Sequence, residues 1–338
     1  MIFFLFTCSH ETQVIVATSE TYHKNGLLKS KTIYNNGVKN GSYIEYYDNK
    51  QVKLKGEYLF GKKNGKWEGY YKNGGQEFIK FFNNGKANDC WTYFYKNGSL
   101  NQKVNYTNGY KDGEYIRYDK FKNLISVKFY KNNLKDSIWK TYYKNGSIKS
   151  IKIFKNGLSN GKWINYFADG SIKSVKFFSD NNKVNNWFYY YTNGMTYKEE
   201  SYTDDNKSKE WRTYYNDGKI KSIINYKNDI YHGKYEEFYA SGKSKTSGFY
   251  KLGNKHGLWI NFFQNGQISD KINYNSGQLD GEFVSYYEDG VVKHKGSWNN
   301  GRRNDKFEWF YENGQLKKYE EWENGILVSE TEYYKNSK

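Results

Sequence analysis

Proline is missing altogether from this chain of 338 residues, and cysteine and methionine occur only twice each. An ordinary chain carries about 5% proline. Because proline cannot donate to a sheet ladder, its absence suits a chain that is strand almost throughout. Two cysteines, Cys8 and Cys90, provide neither a disulfide framework nor a thiolate metal site. Leu and Val are sparse: hydrophobic residues make up 37% of the chain, and the aromatic 20% carries much of that share. Such a chain has no thick aliphatic core and must bury its apolar surface in ladders of rings. After the N-terminus no segment approaches the roughly 20 apolar residues that a membrane helix needs. Acidic residues are outnumbered, giving a net charge of +17. That excess favours anionic partners and says nothing about fold. It is also uneven, since Glu282 to Lys338 holds 9 Lys or Arg against 11 Asp or Glu.

What is present is repetition, which identifies an architecture before any single motif does. Stepping by 24 from Tyr22 through Tyr46 and Tyr70 to Phe310 meets an aromatic residue at all thirteen positions. A second column, from Tyr34 and Tyr58 to Trp298 and Trp322, is aromatic at every step. A third runs through Tyr43, Trp67, Trp91, Trp139, Trp163 and Trp187 to Phe307. Each unit reads as two strands and two turns. Gly161 to Phe167 is a first strand, Asp169-Gly170 a turn, and Ile172 to Phe178 a second strand. Ten of the thirteen units have Asn-Gly or Asp-Gly at that turn, the dipeptide of a type I′ hairpin. A looser turn follows, as in Asn156-Gly157-Leu158-Ser159-Asn160-Gly161.

Alternation along a strand sorts the side chains. It puts Trp163 and Phe167 on one face and Tyr166 on the other, and places Ile172 with Phe178. The column of Leu28, Val52, Leu100 and Ile148 is aliphatic in ten of thirteen units, so both faces carry apolar ladders. The predicted fold class is all-β: an elongated single-layer antiparallel β-meander, a β-hairpin solenoid over residues 21–338. After residue 20 no helix longer than two turns is expected. At about 4.7–4.9 Å per strand, thirteen units would extend roughly 120 Å, each touching only its neighbours.

The pattern Gly65-Lys66-Trp67-Glu68-Gly69-Tyr70-Tyr71-Lys72-Asn73-Gly74 resembles the MORN-repeat variant of bacterial proteins, and the resemblance covers about residues 21–338. Some relatives carry an antitoxin label, and MORN repeats also accompany lipid kinases. The resemblance implies membrane association or protein scaffolding. Departures from the pattern include Lys50 and Lys122 in place of the turn glycine and a one-residue slip at Tyr333-Tyr334. Atypical end units fit capping repeats.

Residues 1–20 form a separate segment. The apolar run Ile2 to Phe6 ends at Leu5-Phe6-Thr7-Cys8, which resembles a bacterial lipobox whose cysteine carries the lipid. The alternative is an apolar N-terminus with a buried thiol. The first reading places the protein at the cell envelope, lipid-anchored, and the second leaves it cytoplasmic.

No catalytic constellation emerges. A kinase needs a phosphate-cradling Gly-rich loop, a strand lysine and a metal-binding Asp, whereas the repeat's turns account for the 32 glycines. Of the five histidines, His232 and His256 share a turn column in adjacent units. Two strand spacings, about 9.6 Å, separate such positions, too far to converge about 2 Å from a metal. The carboxylate pairs Asp204-Asp205 and Glu236-Glu237 read as solvated. A lysine column remains: Lys29, Lys53, Lys149, Lys173, Lys221, Lys245, Lys293 and Lys317. It forms either a cationic stripe for a polyanion or membrane, with members about 10 Å apart, or a solubility device whose stems cover rings. The expected function is therefore a non-enzymatic scaffold, without cofactor or small-molecule substrate. It binds a protein, a glycan or an anionic membrane, with nucleic acid disfavoured because the rings already serve the fold. The alternative is an antitoxin-like partner of a toxin.

Overall fold

The computed structural model describes residues 15–334, and among these every regular element is a β-strand. The chain divides into two compact units, Met1–Leu158 and Ser159–Lys338. In the first unit nine-residue strands such as Lys62–Tyr70 alternate with eight-residue strands such as Gln76–Asn83. Each pairs antiparallel with the strand before it and the strand after it. The second unit follows the same plan, as Asn254–Phe262 and Ile268–Asn275 illustrate. Each unit is thus an antiparallel meander, as the 24-residue period predicts.

The two turns of each repeat differ, and the type I′ turn is not at the end where the sequence places it. At Asp169-Gly170 only the glycine has positive φ, 91°. The Gly170 N–H donates to Phe167 O at 3.1 Å, and the Phe167 N–H donates to Ser171 O at 2.8 Å. This is a type I turn closed by a left-handed glycine bulge, not a type I′ turn. Asp169 suits it because its carboxylate accepts the Ser171 N–H at 2.8 Å. The type I′ turn lies at the other end of the hairpin, where both loop residues have positive φ. This holds at 24-residue intervals from Asn36-Gly37 (48° and 77°) to Asn324-Gly325 (51° and 87°). The looser turn of the sequence is therefore a tight two-residue loop followed by something else.

That something is a bulge. Lys55 pairs with Glu68 and Glu57 with Asn64, so three residues, Gly65 to Trp67, lie opposite Gly56 alone. Gly65 takes φ 65° to absorb the extra length. The bulge interrupts the ladder, and the tryptophan repairs it, its indole N–H donating to Glu57 O at 3.1 Å. Trp91, Trp139, Trp187, Trp211 and Trp259 repeat the bond to the carbonyl ten residues earlier, at 2.7–3.2 Å. A buried indole N–H and an orphaned carbonyl satisfy each other.

A second, smaller bulge beside the type I turn corrects the face assignment. Tyr166 pairs with Ile172 and Asn165 with Ser174, so the register shifts across Lys173. Ile172 therefore lies on the Tyr166 face, while Phe178 packs on Trp163 with ring centroids 4.5 Å apart. Simple alternation had placed Ile172 with Phe178. The shift also turns the residue at Lys173 and its equivalents onto the tryptophan face: Tyr197, one repeat later, packs against Tyr189 and Tyr191.

Candidate interaction face

The tryptophan face carries long runs of packed rings in each unit. In the first unit Tyr43, Tyr58, Trp67, Phe82, Trp91 and Tyr106 follow one another at centroid spacings of 4.6–6.3 Å. In the second, Phe178, Trp187, Tyr202, Trp211 and Tyr226 do so at 4.8–5.4 Å. The ladder is the core of each unit: Trp67 is 1% exposed, Trp259 3% and Phe307 0%. Those three rings lie against Gly56, Gly248 and Gly296, where an added Cβ would come within 2.2–2.4 Å of them.

Ammonium groups cover the ladder. Lys63 lies 4.3 Å from the centre of Trp67, and Lys255 the same distance from Trp259. Lys135, Lys183 and Lys207 hold equivalent places at 4.9–5.8 Å from their tryptophans. From the column of Gly56, Lys80, Lys128 and Lys176 reach Trp91, Trp139 and Trp187 at 4.7–5.0 Å. Attraction of a cation to a ring face compensates part of its lost hydration. Even so, burial holds Lys63, Lys80, Lys128 and Lys152 below the usual lysine range. In that same column Glu200 and Glu320 are each 5% exposed. Each is fully partnered: Glu200 by Tyr189, Tyr202 and Lys198, Glu320 by Arg303, Lys318 and Trp322.

The lysine column singled out in the sequence lies on this face, along the type I turns. Lys149, Lys173, Lys221, Lys293 and Lys317 each sit 5.5–5.7 Å from the ring of the turn residue six positions earlier. Lys53 and Lys245 instead pair with Glu45 and Glu237, each at 2.8 Å. Lys29 is exposed. Cys8 lies outside the described residues, and Cys90 is a half-buried free thiol. His232 and His256 are strand residues, not turn residues as the sequence suggested. They belong to a column of Asn and Asp that caps the type I′ turns, and His232 Nδ1 accepts the Leu252 N–H at 3.4 Å as Asn40 Oδ1 accepts the Phe60 N–H at 3.1 Å. Among the described residues no group of three or more His, Cys, Asp or Glu could hold a metal ion. No described helix is long and apolar enough to cross a membrane.

The MORN repeat variant model matches eight stretches of the chain: residues 39–59, 90–108, 135–156, 207–228, 231–252, 255–276, 279–300 and 306–324. Together they make up half of it. The chain belongs to the MORN repeat variant family. No curated protein matches it as a relative. Solved structures that resemble these MORN repeats include the complex of TcdB2 and TccC3 with Cdc42, at 12% identity and a TM-score of 0.19. A Photorhabdus luminescens Tc holotoxin pore bearing a TccC3 mutation matches at 14% and 0.19. The two matches cover 90% and 88% of this chain but only 18% of the other chain in each case. Likeness at that level carries no argument about what the MORN array binds.

Two features of the face escaped the sequence. The lysines over the tryptophans sit in two columns, one interrupted by Ala, Ser, Tyr and Leu and the other by Gly, Val, Ile and Glu, so no uniform column announces them. The second tyrosine of the Tyr-Tyr pair ties one MORN repeat to the next: Tyr47, Tyr71, Tyr191 and Tyr215 donate through their hydroxyls to carbonyls 23 residues on, at 2.8–2.9 Å. The regular Tyr-Tyr spacing was the available signal.

Proposed function

We propose that this MORN-repeat protein is a non-catalytic binding scaffold, held at the cell envelope by a lipid on Cys8. Its ring-and-lysine face engages a protein or an anionic surface, membrane or glycan. The observation that carries this reading is the ladder of aromatic rings overlaid by ammonium groups on one face of each unit. The constant columns already have structural duties in turns, bulges and the ladder. The charge pattern of that face is what varies from repeat to repeat, and variation on a constant frame is where a scaffold stores specificity. Two measurements test it. Cell fractionation should find the wild type with membranes and Cys8→Ser in the soluble fraction. Flotation with phosphatidylglycerol vesicles should show binding that falls steeply as salt rises. Soluble wild type together with salt-insensitive flotation would refute the proposal.

A further inference from the structure

One stretch of this face in the first unit gathers four cations on three neighbouring strands. Lys111, Arg117, Lys128 and Lys135 share it, as their cross-strand partners show: Lys111 pairs with Tyr106, Arg117 with Ser126, Lys128 with Tyr115 and Lys135 with Tyr130. Lys128 and Lys135 flank a single ring, Trp139, at 4.9 and 5.2 Å, and Lys111 lies 5.5 Å from the centre of Tyr130. None of the four forms an ion pair with a carboxylate among the described residues. Asp89 lies across Tyr106 from Lys111, on the far side of that strand, and the other nearby carboxylates point elsewhere. Glu114 pairs with Phe129 on the opposite face. Asp112 and Asp136 alternate with Lys111 and Lys135 along their strands and so face away. Asp119 accepts the N–H groups of Phe121 and Asn123 in its own turn.

Folding alone does not call for this arrangement. Half-buried like charges destabilise the state that holds them, and burial together with Arg117, Lys135 and Lys111 holds the Lys128 ammonium below its usual range. At two other places on the face the chain supplies the counter-charge. The column of Lys128 carries Glu200, paired with Lys198, and Glu320, paired with Arg303. It also carries Val104, 3% exposed, which shows that an apolar residue fits there.

We infer that Lys111, Arg117, Lys128 and Lys135, over Tyr130 and Trp139, form a discrete oxyanion site for a multiply charged phosphate or sulfate ester. The ligand supplies the negative charge that the protein withholds. The exposed Arg117 offers a planar fork for two ester oxygens, and the lysines act as point charges. The inference rests on this face being the binding face, but it concerns four residues outside the lysine stripe and can be judged separately.

Calorimetric titration of the full chain with sodium pyrophosphate at low ionic strength, beside flotation with phosphatidylglycerol vesicles, tests it. The triple variant Arg117→Gln/Lys128→Val/Lys135→Gln should weaken binding at least about tenfold, and the exposed Arg117→Gln alone about threefold. A control triple at turn lysines, Lys72→Gln/Lys96→Gln/Lys144→Gln, should stay within about twofold. Without ligand the first triple should melt no lower than wild type. Pyrophosphate binding with this pattern supports a free ester, and vesicle binding alone with the same pattern supports a lipid headgroup. Equal losses from both triples, an unaffected Arg117→Gln, or a wild type that binds neither probe would overturn the site. Pyrophosphate binding that persists in a chain failing the fractionation test would separate this site from the envelope reading.

Discussion

Trp67 and Gly56 are fitted to each other, because the ring fills the space beside the glycine. The ring occupies the space where a Cβ on Gly56 would stand, 2.3 Å away, and its N–H completes the ladder at Glu57. Gly56→Ala must push a 1%-exposed ring off its seat. Overpacking of this kind costs about 1–3 kcal/mol, measurable by denaturant unfolding. Gly170→Val acts through the backbone, because φ 91° is poorly tolerated by a β-branched residue. A loss of about 1–3 kcal/mol is expected, with faster amide exchange in that hairpin; unchanged exchange would mean the left-handed bulge is wrongly placed. Lys50 and Lys122 already hold φ 66° and 70° at the same column, so the strain is borne where a long, unbranched side chain is present. Tyr71→Phe removes only the hydroxyl that donates to Phe94 O at 2.8 Å. It should cost about 1 kcal/mol and speed exchange around the next turn while leaving its own hairpin protected.

At the scale of a strand, His294 on Val292–Asn299 gives the clearest pH signature. It stacks on Trp309 at 4.6 Å and meets Phe283 edge-on at 5.0 Å. Burial, with Arg303 adding repulsion, pushes its pKa down from 6.5 to about 4. The folded protein therefore keeps His294 neutral over a range in which the unfolded chain binds a proton. Its cost is absent above the unfolded value of 6.5, grows as pH falls toward about 4, and levels off below. Allowing for partial exposure, about 1–2 kcal/mol should be lost across that window. Carboxylates titrate there as well, so the test is a difference: melting curves against pH for wild type and His294→Gln. The variant should be the flatter of the two between those limits. Parallel curves would mean that the imidazole takes up its proton as readily in the folded chain as in the unfolded one.

For the whole molecule, the net charge of +17 makes some attraction to polyanions unavoidable, so placement must be separated from sum. Changing Lys149, Lys173, Lys221 and Lys245 together to Gln removes four members of the stripe. Changing Lys72, Lys96, Lys144 and Lys155 removes the same charge at turns. If the stripe binds, the first set should reduce vesicle or polyanion affinity several-fold more than the second at matched salt, with folding intact. Equal losses would reduce the stripe to solubility chemistry. The latter outcome has structural support, since Lys245 already pairs with Glu237 and the other three cover turn rings. The near-neutral segment from Glu282 onward should contribute little to binding in either case.

Period, strand content, hairpin order and MORN membership were all legible in the sequence. They depend on local alternation and on turn residues repeated at fixed spacing, and each strand pairs only with its chain neighbours. The bulges were not legible. Asn-Gly marks a positive φ at both ends of the hairpin, at Gly74 in one turn and at Gly157 in the other. Only the register decides which turn is type I′. One residue of slip reverses a side chain's face, so the bulge at Lys173 carried Ile172 away from Phe178 and brought the lysine stripe onto the tryptophan side. The wider bulge at Gly65 to Trp67 turned a column of tryptophans into donors for the backbone. The sequence by itself determined which residues recur and what they can do chemically. The tertiary structure decided which of them share a face, because that depends on how many residues oppose one another across two strands, a quantity that no single strand contains.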